Sequence, residues 1–136
     1  YMTLEASTGE AAFACAGHPK PLLLRPGAPE SECLLQDASG HGPALALYPE
    51  TTYASCTRTL DPGSRVVMCT DGLFEACDAA GESYGEARLK DYIDRHRTGT
   101  SSELLERIMS EASLFACENG FTDDVCIASV ELARLL

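Results

Sequence analysis

The feature that most constrains this chain is a short apolar run that stops abruptly at an acidic turn. Residues 65–69 read Arg-Val-Val-Met-Cys and follow a Pro-Gly turn signal, a pattern that predicts a β-strand. The run ends at Asp71-Gly72, so a carboxylate stands at the tip of the strand beside a glycine that allows the backbone to bend sharply. An isolated Asp-Gly is usually only a turn, and that interpretation holds unless a second feature supports a site.

A second acidic pair supplies that support. Asp123-Asp124 stands directly before another apolar run, residues 125–130. Two strands that each carry Asp at one end can bring their carboxylates together, and oxygen ligands suit a hard divalent cation. We therefore expect a metal site at the edge where Asp71 and Asp123 meet.

Length, charge and cysteine content narrow the class of protein. At 136 residues the chain is expected to form a single domain, residues 1–136. A formal net charge of −11 argues against nucleic acid as a partner. No apolar run approaches the roughly 20 residues that span a bilayer, and no signal peptide is visible. Seven cysteines without a Cys-x-x-Cys pair predict free thiols, no zinc site and a cytoplasmic protein.

The order of the predicted elements indicates an α+β domain: strands first, then two helices, then one returning strand. Residues 86–97 follow helical spacing. The Thr100 to Glu103 segment has the capping-box form, which predicts a second helix that runs to about Cys117. Cys69 lies beside the expected metal site, where we interpret it as a buried strand thiol rather than a redox centre.

Two further expectations concern how the strands are arranged. Residues 53–60 are expected to pair with residues 65–69 as a hairpin across Asp61-Pro62-Gly63. The last strand, residues 125–132, is apolar at nearly every position, so we expect it to be covered on both faces.

Five phrases in sequence order resemble the SpoIIE/RsbU-like branch of the PPM metal-dependent protein phosphatases. Each phrase is weak alone, but together they extend over nearly the whole chain: residues 16–24, 60–67, 70–76, 84–85 and 121–125. The resemblance implies the C-terminal part of an α-β-β-α sandwich, in which two antiparallel sheets are flanked by helices.

The resemblance also implies a chemistry. Asp71 and Asp123 match metal-binding aspartates of the family, Asp124 is the less certain neighbour, and Gly72 would let the chain turn beside the metal. Two Mn²⁺ or Mg²⁺ ions would activate water for attack on phosphoserine or phosphothreonine. The implied partner is a phosphorylated regulatory protein such as an anti-sigma-factor antagonist, in bacterial signalling.

One family motif is out of place. Members carry an acidic motif of the form Asp-x-Ser-Gly-His-Gly before the Ala-Gly-His-Pro phrase, and the chain begins too late to include it. Residues 37–42 spell nearly the same motif downstream, so Asp37 is either the shared metal ligand or part of a chance look-alike. The order along the chain favours the look-alike. We expect this chain to be part of a longer protein and to be weakly active or inactive alone.

A different class of function stays open at this point. The alternative is a non-catalytic phosphatase-like module that binds a signalling protein or dimerises. The presence of both Asp71 and Asp123 favours the enzyme, because a module without catalysis does not need them. A homodimer is compatible with either function, and neither requires a membrane contact.

Overall fold

The computed structural model describes residues 1–35 and 41–134, which form three layers. The first layer is a three-stranded antiparallel sheet in the order β1 (Met2–Glu5), β2 (Glu10–Phe13), β7 (Cys56–Thr59). A turn at residues 6–9 joins β1 to β2. Beside this sheet, β3 (Cys15–Ala16) pairs in parallel with β6 (His41–Gly42).

The middle layer is a four-stranded antiparallel sheet in the order β5-β4-β8-β9. Its strands are β4 (Leu22–Leu24), β5 (Glu32–Cys33), β8 (Arg65–Cys69) and β9 (Ile127–Glu131). Alternate residues of β8 face opposite layers because successive side chains of a strand point to opposite sides. Val66 and Met68 pack towards the three-stranded sheet, whereas Val67 and Cys69 pack towards the helices.

The third layer consists of two helices, α1 (Glu86–His96) and α2 (Ser101–Ala116), and both confirm the sequence prediction. The capping box is present: the Thr100 side chain accepts from the Glu103 amide, and the Glu103 side chain accepts from the Thr100 amide. Leu89 and Ile93 of α1 and Leu104 and Ile108 of α2 are buried against the four-stranded sheet. Burial of this kind contributes about 1.5–3 kcal/mol for each large aliphatic side chain.

The expected hairpin between residues 53–60 and 65–69 is wrong. β7 pairs with β2 in the three-stranded sheet, whereas β8 pairs with β4 and β9 in the other sheet. The tight turn is real, since the Ser64 amide donates to the Asp61 carbonyl oxygen at 2.9 Å. It carries the chain from one sheet to the other, and the buried side chain of Leu60 fills the space between the layers.

The expectation that the last strand is covered on both faces is also wrong. β9 lies at the edge of the four-stranded sheet, and Ala128 and Glu131 are exposed. Its helix-facing side is still packed, because Ile127 contacts the cluster beneath α1 and α2. The apolar sequence of this segment therefore does not correspond to burial of both faces of the strand.

The state of the cysteines and the length of the helices are two further features of the fold. All seven cysteines are free thiols, as predicted. Within residues 1–35 and 41–134, no helix is long and apolar enough to cross a membrane.

Candidate metal centre

The predicted acidic edge lies where β8 ends and β9 begins. The two strands are antiparallel, with Cys69 opposite Ile127 as their last paired residues at this end. The chain segments that extend beyond this pair, one leading to Asp71 and the other coming from Asp123 and Asp124, therefore lie side by side. The structure brings together the two acidic positions that the sequence singled out.

Thr70 joins these two segments through both its main chain and its side chain. Its amide donates to the Cys126 carbonyl oxygen at 2.9 Å, which continues the strand ladder by one residue. Its hydroxyl donates to the Asp124 carbonyl oxygen at 3.0 Å and accepts from the Cys126 amide at 2.9 Å. A single side chain thus satisfies two main-chain groups that the end of the sheet would otherwise leave unpaired.

Gly72 is buried against the main chain of the second acidic pair. A Cβ added at Gly72 would lie 2.7 Å from the Asp124 carbonyl oxygen, closer than real Cβ contacts, and 3.1 Å from the Asp123 carbonyl oxygen, tighter than most of them. Gly72 is not among the glycines with positive φ. The expected reason for this glycine, a sharp turn beside the metal, is therefore replaced by another: the two acidic segments approach too closely for any side chain.

The carboxylates themselves are exposed at this edge. Asp71 opens a short 3-10 turn, Asp71–Leu73, and its carbonyl oxygen accepts from the amides of Phe74 and Glu75 at 3.0 Å each. Buried Leu73 anchors the turn in the core beneath the helices. The Asp123 carboxylate accepts from the Asp124 amide at 2.7 Å, which orients the pair locally.

The chemistry of these donors fits part of a metal site. Among the described residues, Asp71, Asp123 and Asp124 form no ion pair with Lys, Arg or His, so their carboxylates are not engaged by a cation of the chain. Within the same residues, however, no group of three or more His, Cys, Asp or Glu side chains lies close enough to hold a metal ion. Asp37 lies outside the described residues. The edge therefore supplies hard oxygen donors but not a complete set.

Neighbouring side chains have structural roles. Burial raises the pKa of the Cys69 thiol to about 11, and the nearby carboxylates of Glu86 and Asp71 add to that shift. A thiol with this pKa is protonated at neutral pH, which agrees with a structural strand thiol and not with a reactive one, although Cys69 is half-buried and not fully buried as expected. His18 is a loop residue whose Nδ1 lies 2.8 Å from the Pro19 carbonyl oxygen.

Thr70 is the residue of this edge that sequence reasoning missed. The sequence pattern predicts the end of the strand at Asp71-Gly72 and assigns no role to Thr70. The position of Thr70 could have indicated this role, because a hydroxyl directly after a strand can form hydrogen bonds with main-chain groups where strand pairing stops.

Comparison with solved structures identifies the class of fold. The SiaA-PP2C domain of Pseudomonas aeruginosa superimposes with a TM-score of 0.72 at 20% identity, over 91% of this chain and 47% of that one. The phosphatase domain of the cell fate determinant SpoIIE from Bacillus subtilis gives 0.71 at 15% identity, over 98% and 57%. The layered antiparallel sheets with two helices are thus an α+β fold of the PPM phosphatase type.

The sequence comparisons give the family. Residues 1–133 match the family described as Stage II sporulation protein E (SpoIIE), and the chain belongs to that family. A structure of the RsbU and RsbW domains of a Mycobacterium tuberculosis protein is similar at 26% identity, with a TM-score of 0.69, over 97% of this chain and 34% of that one. The resemblance to the SpoIIE/RsbU-like branch is confirmed.

The chain spans only part of these relatives. It covers about half of the SiaA and SpoIIE phosphatase domains. Protein IcfG of Synechocystis sp. (strain ATCC 27184 / PCC 6803 / Kazusa) is 26% identical over 108 residues, which are 79% of this chain and 16% of that protein.

Proposed function

We propose that this chain is the C-terminal portion of the catalytic domain of a metal-dependent protein serine/threonine phosphatase of the SpoIIE/RsbU type. The observation that carries the proposal is that the chain segments of Asp71 and of Asp123-Asp124 lie side by side at one sheet edge, in a chain of the SpoIIE family. The alternative of a fortuitous turn does not account for two acidic segments that a buried glycine and a threonine hydroxyl hold together.

In this proposal Asp71 and Asp123 hold the metal, and Asp124 is their neighbour. Mn²⁺ or Mg²⁺ bound there would supply a Lewis acid for the phosphoryl oxygens and a water of lowered pKa. The protein's contribution is positional: Thr70 ties the two segments together, and Gly72 keeps them in contact. A Bacillus subtilis SpoIIE phosphatase domain presoaked with Mn is among the similar structures, which supports Mn²⁺ as the first metal to test.

We further propose that the ligand set is completed by a segment that precedes residue 1. Support comes from the order of the motifs, since residues 37–42 follow the phrase at residues 16–24 that the family motif precedes, and from the half-length overlap with solved phosphatase domains. The present chain alone is then weakly active or inactive, and Asp37 is not required.

The proposed substrate is phosphoserine or phosphothreonine on a cytoplasmic regulatory protein, such as an anti-sigma-factor antagonist. The similarity to an RsbU domain and to SpoIIE supports a regulatory substrate. A homodimer is compatible with the proposal.

The test is hydrolysis of a phosphoserine peptide and of p-nitrophenyl phosphate by the full-length protein, with and without Mn²⁺. Asp71→Asn and Asp123→Asn should each lower kcat/KM by more than about 100-fold, since even the outer partners of a metal ligand are worth 10- to 100-fold. Asp91→Asn is the matched control, because Asp91 is an exposed aspartate on α1 that pairs with Arg95. Its activity should equal that of the unchanged protein.

Normal turnover in either site variant would disprove the ligand assignment. If the unchanged full-length protein shows no Mn²⁺-dependent hydrolysis but binds a phosphorylated regulatory protein, the non-catalytic module is the better description. Robust turnover by the 136-residue chain alone would disprove the incomplete site and make Asp37 the first residue to test.

A further inference from the structure

A polar cavity of about 500 Å³ lies at the end of the four-stranded sheet opposite to Asp71. Three arginines line it: Arg25 directly after β4, Arg65 at the start of β8, and Arg97 directly after α1. Because Arg65 and Cys69 are the two ends of β8, the cavity is separated from the acidic edge by about 13 Å of extended chain. It is therefore not part of the candidate metal centre.

Two of the three arginines are positioned by main-chain carbonyl groups at the cavity, whereas Arg25 donates to the Thr59 carbonyl oxygen at 3.2 Å. Arg65 donates through Nη1 to the Arg97 carbonyl oxygen at 3.2 Å, and through Nη2 to the Gly99 carbonyl oxygen. Arg97 in turn donates through Nη2 to the Arg25 carbonyl oxygen at 2.8 Å. The guanidinium groups are thus brought to one cavity by contacts that leave some of their N–H groups available. Pre-positioned donors bind an anion with a smaller loss of side-chain entropy.

Among the residues that the structure describes, two of the three arginines that line the cavity are paired with carboxylates, whereas Arg97 is not. Arg25 is paired with Glu32 at 2.7 Å and with Asp61 at 3.0 Å. Arg65 is paired at 3.2 Å with Glu131, which also lines the cavity and accepts from the Ser101 hydroxyl. Within the described part of the chain, no carboxylate lies at ion-pair distance from Arg97. Among the described residues, Arg97 thus has no carboxylate partner, in a chain whose net charge is −11.

One nitrogen of the Arg97 guanidinium also has no hydrogen-bond acceptor among the described residues. Its Nη1 is buried and has no hydrogen-bond partner, and a buried donor without an acceptor is costly. A small rotation of the guanidinium towards the cavity would lose no hydrogen bond at this nitrogen and would gain one to a bound oxyanion. Arg97 is therefore held through Nη2, while Nη1 stays free to bind an anion in the cavity.

We propose that this cavity is a binding site for a tetrahedral oxyanion of the phosphate class, either as free phosphate or as a phosphoryl group on a protein. A planar carboxylate matches a single guanidinium fork, whereas a tetrahedral anion presents oxygens to donors from several directions. Guanidinium groups that approach from β4, β8 and the end of α1 suit the second geometry. The inference does not depend on the proposed phosphatase activity.

The test is a nitrogen–proton NMR titration of the full chain with inorganic phosphate, and separately with a phosphoserine peptide that has no other charged group. Ionic strength is held constant with chloride, because exposed charges are screened by salt. EDTA and the Asp71→Asn substitution are present throughout, so that no metal at the acidic edge can hold phosphate. The amides of Gly27, Gly63 and Thr98, which line the cavity, should shift in a saturable manner below about 50 mM ligand.

Arg97→Gln should weaken this binding by at least about tenfold, which corresponds to one charge-assisted hydrogen bond. Arg97→Lys keeps the charge without the fork and should give a smaller loss. Arg95→Gln removes the same charge from an exposed residue paired with Asp91, and should change binding by less than about twofold.

Comparison of the two titrations distinguishes free phosphate from a phosphoryl group on a protein. Tighter binding of the peptide would identify a docking site for a phosphoprotein, and binding of phosphate alone would identify a free-ion site; both support the proposal. If neither ligand produces saturable shifts at these amides, or if Arg97→Gln folds and binds unchanged, the cavity is a structural arginine cluster that holds water and the proposal is wrong.

Discussion

Thr70 and Asp124 are 54 positions apart in the chain, yet the Thr70 hydroxyl donates to the Asp124 carbonyl oxygen at 3.0 Å. The same hydroxyl accepts from the Cys126 amide at 2.9 Å. The threonine thus fixes the main chain that follows the second acidic pair relative to the turn that carries Asp71. The geometry of the acidic edge depends on this hydroxyl as well as on the pairing of β8 with β9.

Thr70→Val should lower the free energy of unfolding by about 1–3 kcal/mol, since it removes the hydroxyl from two main-chain partners while keeping the β-branched shape. Urea denaturation monitored by circular dichroism measures the change. Thr70→Ser retains the hydroxyl and should recover most of the loss. Thr57→Val, at an exposed position of β7, is the control and should be nearly neutral. Equal stability of the two valine variants would show that the hydroxyl bridge is unimportant.

Gly72→Ala should destabilise the fold by about 1–3 kcal/mol, because the new methyl group overlaps with the Asp124 carbonyl oxygen. It should also shift the amide resonances of Asp124 and Cys126. Gly81→Ala is the comparison: Gly81 has φ of +83° and no atom within 4 Å of an added Cβ. That variant should cost about 1–2 kcal/mol through backbone strain alone and leave the acidic edge undisturbed. Unchanged Asp124 and Cys126 resonances in Gly72→Ala would contradict the close contact.

Asp94 gives the fold a defined response to acid. Burial alone would raise its pKa, but hydrogen bonds from Lys90 and Ser31 outweigh burial and lower the pKa. The Lys90 amine lies 2.7 Å from the carboxylate, and the Ser31 amide lies 2.6 Å from it. Because the folded pKa is below the unfolded one, the stabilisation is complete above about pH 4 and is lost as the pH falls through the folded pKa.

Asp94→Asn should therefore cost about 1–3 kcal/mol at pH 7 and should reduce the loss of stability below about pH 4. Thermal unfolding followed between pH 7 and pH 3 measures both effects. Asp91→Asn, on the exposed side of the same helix, should cost no more than about 0.5 kcal/mol at either pH. If Asp94→Asn kept the full acid dependence, another carboxylate would have to be responsible for it.

Cys69 should react with iodoacetamide more slowly than the exposed cysteines. With a pKa of about 11, only about one thiol in a thousand is ionised at pH 8, and the thiolate is the reactive form. Cys126 and Cys117 are exposed and should be labelled first, as measured by peptide mass spectrometry. In urea all seven cysteines should react at similar rates. Labelling of folded Cys69 at the rate of Cys126 would show that the thiol is accessible.

Local patterns in the sequence were sufficient to predict the two helices and the acidic edge. The capping box at Thr100 and the apolar stripe through Leu89 and Ile93 act within one or two turns, so neighbouring residues determine them. The side-by-side placement of the segments that carry Asp71 and Asp123 was predictable, because the residues at neighbouring ends of two paired strands lie close together.

Long-range pairing was not predictable in the same way. The Asp61-Pro62-Gly63 turn indicates that the chain reverses, but it contains no information about which sheet accepts each strand. The parallel pairing of Cys15 with His41 is likewise decided by distant packing. Gly72 was identified as a site residue, although its actual constraint, the main chain of Asp124, lies in a distant part of the sequence.

The alternation along β8 has a consequence for changes in chain length. A single-residue deletion within this five-residue strand would turn every following side chain to the opposite face. Such a deletion would place Met68 under the helices and Cys69 between the sheets, and it would draw the acidic turn out of line with β9. Length variation should therefore be tolerated in surface loops, such as residues 78–82, and excluded from this central strand.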